Sequence, residues 1–379
     1  MSGEEHASRE IVDLLKEHDH DVKWFTRTSA EISNSFYGKL KALIAGIYNP
    51  YSAHRLSKIL DDFKPDIVQV QNLYPLISPS IFKPLKKRNI PVVMRCPNYR
   101  LFCPSGLSLD PSGNVCERCW KGDEWNCVKY NCLGSYFKSI GYSLRNSFSR
   151  IFKLIINSVD VFIVQSEFQK KKFIVQGIPS HKIGILSGIS PIITKYDNWY
   201  LGEFVSFVGR VSKEKGIYEF IEAAKLNPDI PFKVAGNLDE NFEIPQNIPS
   251  NLEFVGFKKG CELDKFYMQS RIIVVPSKWY EGFPNVIVRG MLIKKPVITT
   301  SIGAMQSIIN HKENGLLVSP GNAIELAKAI QSLYWDSKTC TEYGLNGFNK
   351  ANSLYSRERI YTDLSQIYLQ AQKNAATKK

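Results

Sequence analysis

Two series of short β-branched runs, each followed by a stretch with helical periodicity, restrict this chain to a pair of parallel sheets in tandem. The first series holds "DVKWFT" (21–26), "DIVQVQ" (66–71) and "PVVMRC" (91–96). The second holds "FVSFVG" (204–209), "FKVAG" (232–236), "LEFVG" (252–256), "RIIVVP" (271–276) and "KPVITT" (295–300). Strands that alternate with helices build an α/β, doubly wound, Rossmann-like sheet covered on both faces. Two such sheets are expected to face each other across a cleft, with ligands outside the carboxyl ends of the strands. The turn-rich segment "SGISPIITKYDNWYLGE" (187–203) separates the series. The expected organisation is an N-terminal domain over 1–190, a second domain over 200–355, and a last helix over 356–379 that crosses back to the first domain.

Length and charge narrow the partners. A chain of 379 residues with 44% hydrophobic content can bury two cores. A net charge of +13 favours anionic partners: nucleic acid, lipid headgroups or phosphorylated metabolites. With no run of eighteen uncharged apolar residues and a polar, acidic start, "MSGEEHASRE", neither a membrane span nor a signal peptide is expected, and a cytoplasmic location follows. A doubly wound domain normally opens on a buried strand. Here Met1 is followed at once by "SGEEHASREIVDLLKEH", a glycine turn and a helix, so the first strand is expected to be lacking.

Two strand-to-helix turns in the second half carry the chemistry. In "GRVSKEKG" (209–216) Arg210 and Lys215 flank a turn that begins at Gly209, and two cations at a strand end neutralise a diphosphate. In "VVPSKWYEGFPNVIVRGM" (274–291) a strand passes through a Gly-Pro turn into a helix opening near Asn285. Helix N-termini collect anions, which makes Glu281 an unusual neighbour for the turn and Arg289 an apparently natural one.

These segments, with "NGLLVSPGN" (314–322), "VQSEFQKKKFIVQGIP" (164–179) and "CPNYRLFCPSG" (96–106), resemble the family 4 retaining glycosyltransferases of the GT-B fold, the glycosyltransferase group 1 type. The resemblance covers nearly the whole chain. It implies an N-terminal acceptor domain and a C-terminal domain for a nucleotide-sugar donor, UDP- or GDP-linked. Arg210 and Lys215 would hold the donor diphosphate, and Glu281 would accept from sugar hydroxyls. Gly209, Gly282, Phe283, Pro284, Asn285 and Val286 would complete the donor site through main-chain N–H groups. On the acceptor side Gln71, Asn72, Asn98, Tyr99 and Arg100 fall at strand ends, with Gly3 nearby. No cofactor is needed for catalysis in such a site, because fixed cations and a helix N-terminus stabilise the departing diphosphate. The implied function is transfer, with retention of configuration, to a glycan or lipid-linked acceptor in cell-surface polysaccharide, lipopolysaccharide or glycolipid assembly. The chain departs from the pattern where Arg289 stands in place of a second Glu that would hold the ribose, Ser307 in place of an acidic residue, "LSG" (186–188) in place of "PNG", and Pro97 where many members carry His. Together with the lacking first strand these bear on turnover, so a non-catalytic relative that binds sugar nucleotide or a partner enzyme is the alternative. Arg289→Glu is expected to strengthen donor binding, since a carboxylate accepts from both ribose hydroxyls and a guanidinium has no acceptor.

Two segments stand outside this pattern. The insert over 103–132 contains Cys103, Cys116, Cys119, Cys127 and Cys132, and the last four have spacings compatible with a structural zinc site; the competing reading is a loop of packed thiols. The stretch "GSYFKSIGYSLRNSFSRIFKLIINSVD" (134–160) sets Phe137, Ile140, Leu144, Phe148, Ile151 and Ile155 at helical spacing among Lys138, Arg145, Arg150 and Lys153. Such a stripe is either a core face or a peripheral contact with an anionic membrane. No aromatic-basic recognition motif accompanies the positive charge, so nucleic acid is not expected as a partner.

Overall fold

The computed structural model describes residues 3–28, 31, 36–189, 200–239 and 242–377. The chain divides into two compact units: Met1–Ser112 with Cys116–Ser187 and Tyr361–Lys379, and Gly113–Val115 with Gly188–Ile360. Most of the linker expected over 187–203 lies outside the described residues.

In the first unit the elements run α1 (Gly3–Glu17), α2 (Phe36–Ile47), α3 (Pro50–Phe63), β1 (Val68–Val70), α4 (Phe82–Lys87), β2 (Val92–Arg95), α5 (Asn126–Lys129), α6 (Tyr136–Ile151), β3 (Val161–Val164), α7 (Glu167–Val175) and β4 (Ile183–Ile185). The four strands pair in parallel in the order β1-β2-β3-β4. Every residue of β2 and of β3 is buried, which is why these strands read as unbroken apolar runs rather than alternating ones. Residues 21–26, read above as a strand, are irregular. Among the described residues no strand precedes β1, and without a neighbour to accept its N–H groups an alternating run cannot become a strand.

The second unit contains β5 (Phe204–Val208), α8 (Ile217–Lys225), β6 (Phe232–Ala235), β7 (Leu252–Gly256), α9 (Gly260–Gln269), β8 (Ser270–Val275), α10 (Asn285–Leu292), β9 (Val297–Thr300), α11 (Met305–Ile308), β10 (Gly315–Val318), α12 (Ala323–Trp335) and α13 (Ser337–Tyr355). Helix α14 (Arg357–Ala376) follows, and from Tyr361 onward it belongs to the first unit. The six parallel strands lie in the order β10-β9-β8-β5-β6-β7. Alternate residues of β8 point to opposite faces: Ile272 and Val274 join a core with Phe207, Phe220 and Phe232, while Ile273 and Val275 join one with Ile287, Val288 and Met291.

The chain leaves β5 toward β6 and β7, then returns to β8 on the other side of β5. That reversal is a topological switch point, and the crevice outside the carboxyl ends of β5 and β8 is where such a sheet binds ligands. Gly216 makes the two turns meet there. It has a φ of +79°, and a Cβ on it would lie 2.0 Å from the Pro276 carbonyl oxygen. Gly216→Ala is therefore expected to cost about 1–3 kcal/mol, from left-handed strain and from backbone displacement. Urea unfolding checks this, and an unchanged midpoint would mean that the two turns do not need their close approach.

Candidate active site

A cavity of about 130 Å³ opens at that switch point, lined by Phe207, Val208, Gly209, Lys215, Val274, Val275, Ser277, Glu281, Phe283, Pro284, Asn285 and Val286. Seven of the donor-side residues named from the sequence thus share one cavity: Gly209, Lys215, Glu281, Phe283, Pro284, Asn285 and Val286. Glu281 is 6% exposed and is held by three donors. Lys215 Nζ reaches its Oε1 at 2.6 Å, Ser277 Oγ at 2.7 Å and Trp279 Nε1 at 3.0 Å. Because all three converge on Oε1, the second carboxylate oxygen is left to accept from a ligand. Burial alone would raise the Glu281 pKa, but the Lys215 ammonium and the Ser277 and Trp279 donors outweigh it and hold the group below its ordinary value.

The scaffold fixes these donors through the backbone. Thr300 Oγ1 donates to the Ser277 carbonyl at 2.5 Å, the Lys278 amide donates to the Glu214 carbonyl at 2.8 Å, and Lys278 Nζ pairs with Glu219 at 2.9 Å. No side chain caps α10, whose positive dipole end lies at the cavity, although within its first turn the Ile287 amide donates to the Pro284 carbonyl at 2.9 Å. The Asn285 amide is the exception to the expected main-chain set, because it donates to the Phe283 carbonyl at 3.1 Å. Ser277 and Trp279 were missed as site residues. Both lie within four residues of Glu281, but only the folded loop turns their donors toward its carboxylate.

Three donor-side residues stand apart from the cavity. Gly282 is not among its lining residues. Arg210, half-exposed, is bound by Glu214 and by Asp239, the latter at 2.5 Å, so a phosphate would have to exchange for carboxylates already in place. Arg289 corrects the expectation more sharply. Its guanidinium lies 3.2 Å from Asp264 of α9 and 5.9 Å from the Tyr267 ring centroid, not in the cavity. One turn into α10, its side chain crosses to the neighbouring helix, where it neutralises a buried carboxylate.

A second cavity, about 190 Å³, lies within the first unit at the carboxyl ends of β1 and β2. Gln71, Asn72, Asn98 and Arg100, all named from the sequence, line it. Tyr99 does not: it is buried beneath and stacks on Trp120 at 5.6 Å. Gly3 begins α1 and is not among the lining residues, although α1 is tied to this sheet edge by Gln71 Nε2 donating to Ser8 Oγ at 2.5 Å. Sequence reading missed Arg95, Lys121, Glu124 and Arg150, which also line the cavity. Glu124, nearly fully buried, is gripped by Arg150 through Nε at 2.6 Å and Nη2 at 3.1 Å. Arg95, Arg100 and Lys121 therefore give the cavity an excess of positive charge. Arg95, at the carboxyl end of an otherwise apolar strand, was the one visible signal.

The cysteine insert forms one wall of this cavity through Cys119, Lys121, Gly122 and Glu124. Burial, followed by the proximity of Cys103, Cys132 and Cys116, pushes the Cys119 thiol up to about 12, and the neighbouring Cys132 lowers the pKa of Cys127. Among the described residues no group of three or more His, Cys, Asp or Glu is placed to hold a metal ion. None of Cys116, Cys119, Cys127 and Cys132 is joined in a disulfide. Other contacts dock the insert: Lys172 pairs with Glu117 at 2.5 Å, and the Lys121 amide donates to Gln176 at 2.9 Å.

Two predictions follow from the charges of the second unit. The folded Glu281 pKa is depressed, so its contribution to stability is complete above the unfolded value of about 4.5 and is lost as pH falls through the lower folded value. Urea unfolding between about pH 7 and pH 3 should show Glu281→Gln less stable at neutral pH, with the gap to wild type closing in acid. A constant gap would show that the pair does not titrate with folding. Arg289→Glu sets two carboxylates together at a mostly buried position and should lower stability by about 3 kcal/mol in the same assay. Unchanged stability would mean that the Asp264 pair is not formed in solution.

Comparison with known proteins fits this geometry. Residues 202–350 match the family model described as glycosyl transferases group 1. The chain is 29% identical over 266 residues to an uncharacterized 42.6 kDa protein in the cps region of Klebsiella pneumoniae, covering 69% of this chain and 64% of that one. It is 29% identical over 181 residues to the capsular polysaccharide biosynthesis glycosyltransferase CapM of Staphylococcus aureus, covering 45% and 46%. The matches thus span less than two thirds of these relatives' length. Among solved structures, Anabaena Alr3699/HepE in complex with UDP superposes with a TM-score of 0.66 at 16% identity over 96% of this chain and 95% of that one. The chain has the GT-B fold, and its residues 202–350 are similar to the glycosyl transferases group 1.

Proposed function

We propose that this protein is a retaining, nucleotide-sugar-dependent glycosyltransferase of cell-surface polysaccharide or glycolipid assembly. The observation that carries the reading is the buried Glu281 carboxylate, fixed through one oxygen by Lys215, Ser277 and Trp279 in a cavity at the open N-terminus of α10. A carboxylate so held accepts from sugar hydroxyls, while Lys215 and the helix end stabilise the charge that grows on a departing diphosphate. Retention follows when that diphosphate, still on the face it left, takes the proton of the incoming hydroxyl. UDP is the first donor nucleotide to test, because the Anabaena protein is described with UDP, with GDP the alternative. The relatives from a cps region and from capsular biosynthesis support a cell-surface product. The positively charged cavity of the first unit supports an acceptor bearing an acidic group.

Calorimetric titration with UDP, GDP and uridine tests the donor half of this reading. Lys215→Ala should weaken nucleoside diphosphate binding by roughly ten- to a hundredfold and leave uridine binding nearly unchanged, the scale of one charge-assisted hydrogen bond. Equal losses for both ligands would remove Lys215 from the phosphate site. Sugar release from a panel of UDP- and GDP-sugars then separates an enzyme from a binding protein. Donor binding with no turnover on any member would favour the non-catalytic reading.

A further inference from the structure

Helix α6 is folded inside out. Its apolar residues Phe137, Ile140, Leu144, Phe148 and Ile151 recur at helical spacing, as on a core-facing helix, yet all are exposed. Ile151 and the adjoining Phe152 are 62% and 59% exposed, and the Phe148 and Phe152 rings meet at 4.6 Å. The buried face instead carries Ser139, Ser143, Arg145, Asn146 and Ser149. That face has partners of its own: Ser143 Oγ donates to the Glu124 carbonyl at 2.9 Å, and Asn146 Nδ2 donates to the Arg100 carbonyl at 2.8 Å. Only Ile155, past the helix end, turns inward. Helix α2 packs on α6 where Leu43 meets Gly141. A row of large apolar side chains on a helix whose opposite face is already satisfied needs another surface to cover it.

Charge identifies that surface. From Trp125 to Val159 the sequence contains no acidic residue, while Lys138 and Lys153 stand exposed beside the apolar row. A second copy of the chain docked through the same face would oppose these lysines with lysines. A sheet of anionic headgroups over an apolar interior matches both properties together, with cations at the headgroups and aromatic and aliphatic side chains at the acyl boundary. We infer that the exposed face of α6 docks this protein peripherally on an anionic lipid bilayer. Among the described residues no helix is long and apolar enough to cross a membrane, so the contact is interfacial.

Vesicle flotation with the full chain tests this at about 0.15 M salt, using neutral phosphatidylcholine vesicles and vesicles with about a third phosphatidylglycerol. The wild type should float with the anionic vesicles and stay behind with the neutral ones. The triple variant Phe148→Ser/Ile151→Ser/Phe152→Ser and the double variant Lys138→Glu/Lys153→Glu should each bind about tenfold or more weakly. All five positions are exposed, and thermal unfolding checks that the variants fold. If a variant does not fold, a salt titration of the wild type replaces it: flotation should decline steeply between about 0.05 and 0.5 M. Equal flotation with both vesicle types, or none, overturns the inference. So does a concentration-dependent dimer in solution that the triple variant abolishes, since the face would then belong to a second copy.

Discussion

The Lys215–Glu281 pair is the interaction on which the second unit's site depends. A carboxylate 6% exposed is sustainable only when its charge is met by a cation and by further donors, and here Lys215, Ser277 and Trp279 supply both. The pair also joins two turns that are 66 residues apart in the chain. Around it the Lys278 amide reaches the Glu214 carbonyl, and Gly216 admits the Pro276 carbonyl where any other residue would collide. The sheet order requires this closeness. Strands β5 and β8 are neighbours only because the chain reverses direction across the sheet between them, so the turns that follow them must share one crevice.

Much of this architecture was legible in the sequence because fully buried parallel strands announce themselves as unbroken apolar runs. The strands β5, β8 and β9 stand where those runs lie, and β6 and edge strand β7 where aromatic and β-branched residues surround Lys233 and Glu253. What the runs do not show is pairing. Residues 21–26 have the composition of a strand and no neighbour among the described residues, so they stay irregular. The strands β3, β4 and β10 went unread: β3 follows closely on the apolar stretch after α6, and glycines stand within β4 and at the start of β10, so periodicity alone does not separate these runs from helix or turn. Within the site, the sequence placed Lys215 and Glu281 at strand-to-helix turns, where fixed cations and open helix ends gather. The position of Arg289 was read from its spacing to Glu281, and that spacing says nothing about Asp264, which approaches from α9. A long side chain one turn into a helix has several neighbours within reach, and tertiary packing chooses among them.

Helix α6 shows the same limit from another side. Periodicity established that it has one apolar face, and the usual inference from such a face is that it meets the core. Burial is a competition between faces, however. Residues Ser143, Asn146 and Arg150 make hydrogen bonds to Glu124, Gly122 and Arg100 that solvent would otherwise have to replace, and small serines permit a close approach. Once that network occupies the inner side, the apolar row has nowhere to go but outward.

Arg145 completes the electrostatics of this region. It is buried on the inner side of α6, stacked over the rings of Tyr74 at 3.8 Å and Tyr142 at 4.3 Å, and hydrogen-bonded to Asn146 Oδ1. Burial lowers its pKa to about 10, so it stays charged at neutral pH. Its charge lies roughly a helix diameter, about 10 Å, from the outer row, which is close to one Debye length at physiological salt. The intervening matter is low-dielectric protein rather than water, and screening across it is weak. The interior guanidinium therefore adds to the positive potential at the exposed face without itself being desolvated when that face is covered. Helix α6 thus lends Asn146 and Ser149 to the wall of the first unit's cavity and presents its apolar row on the opposite side.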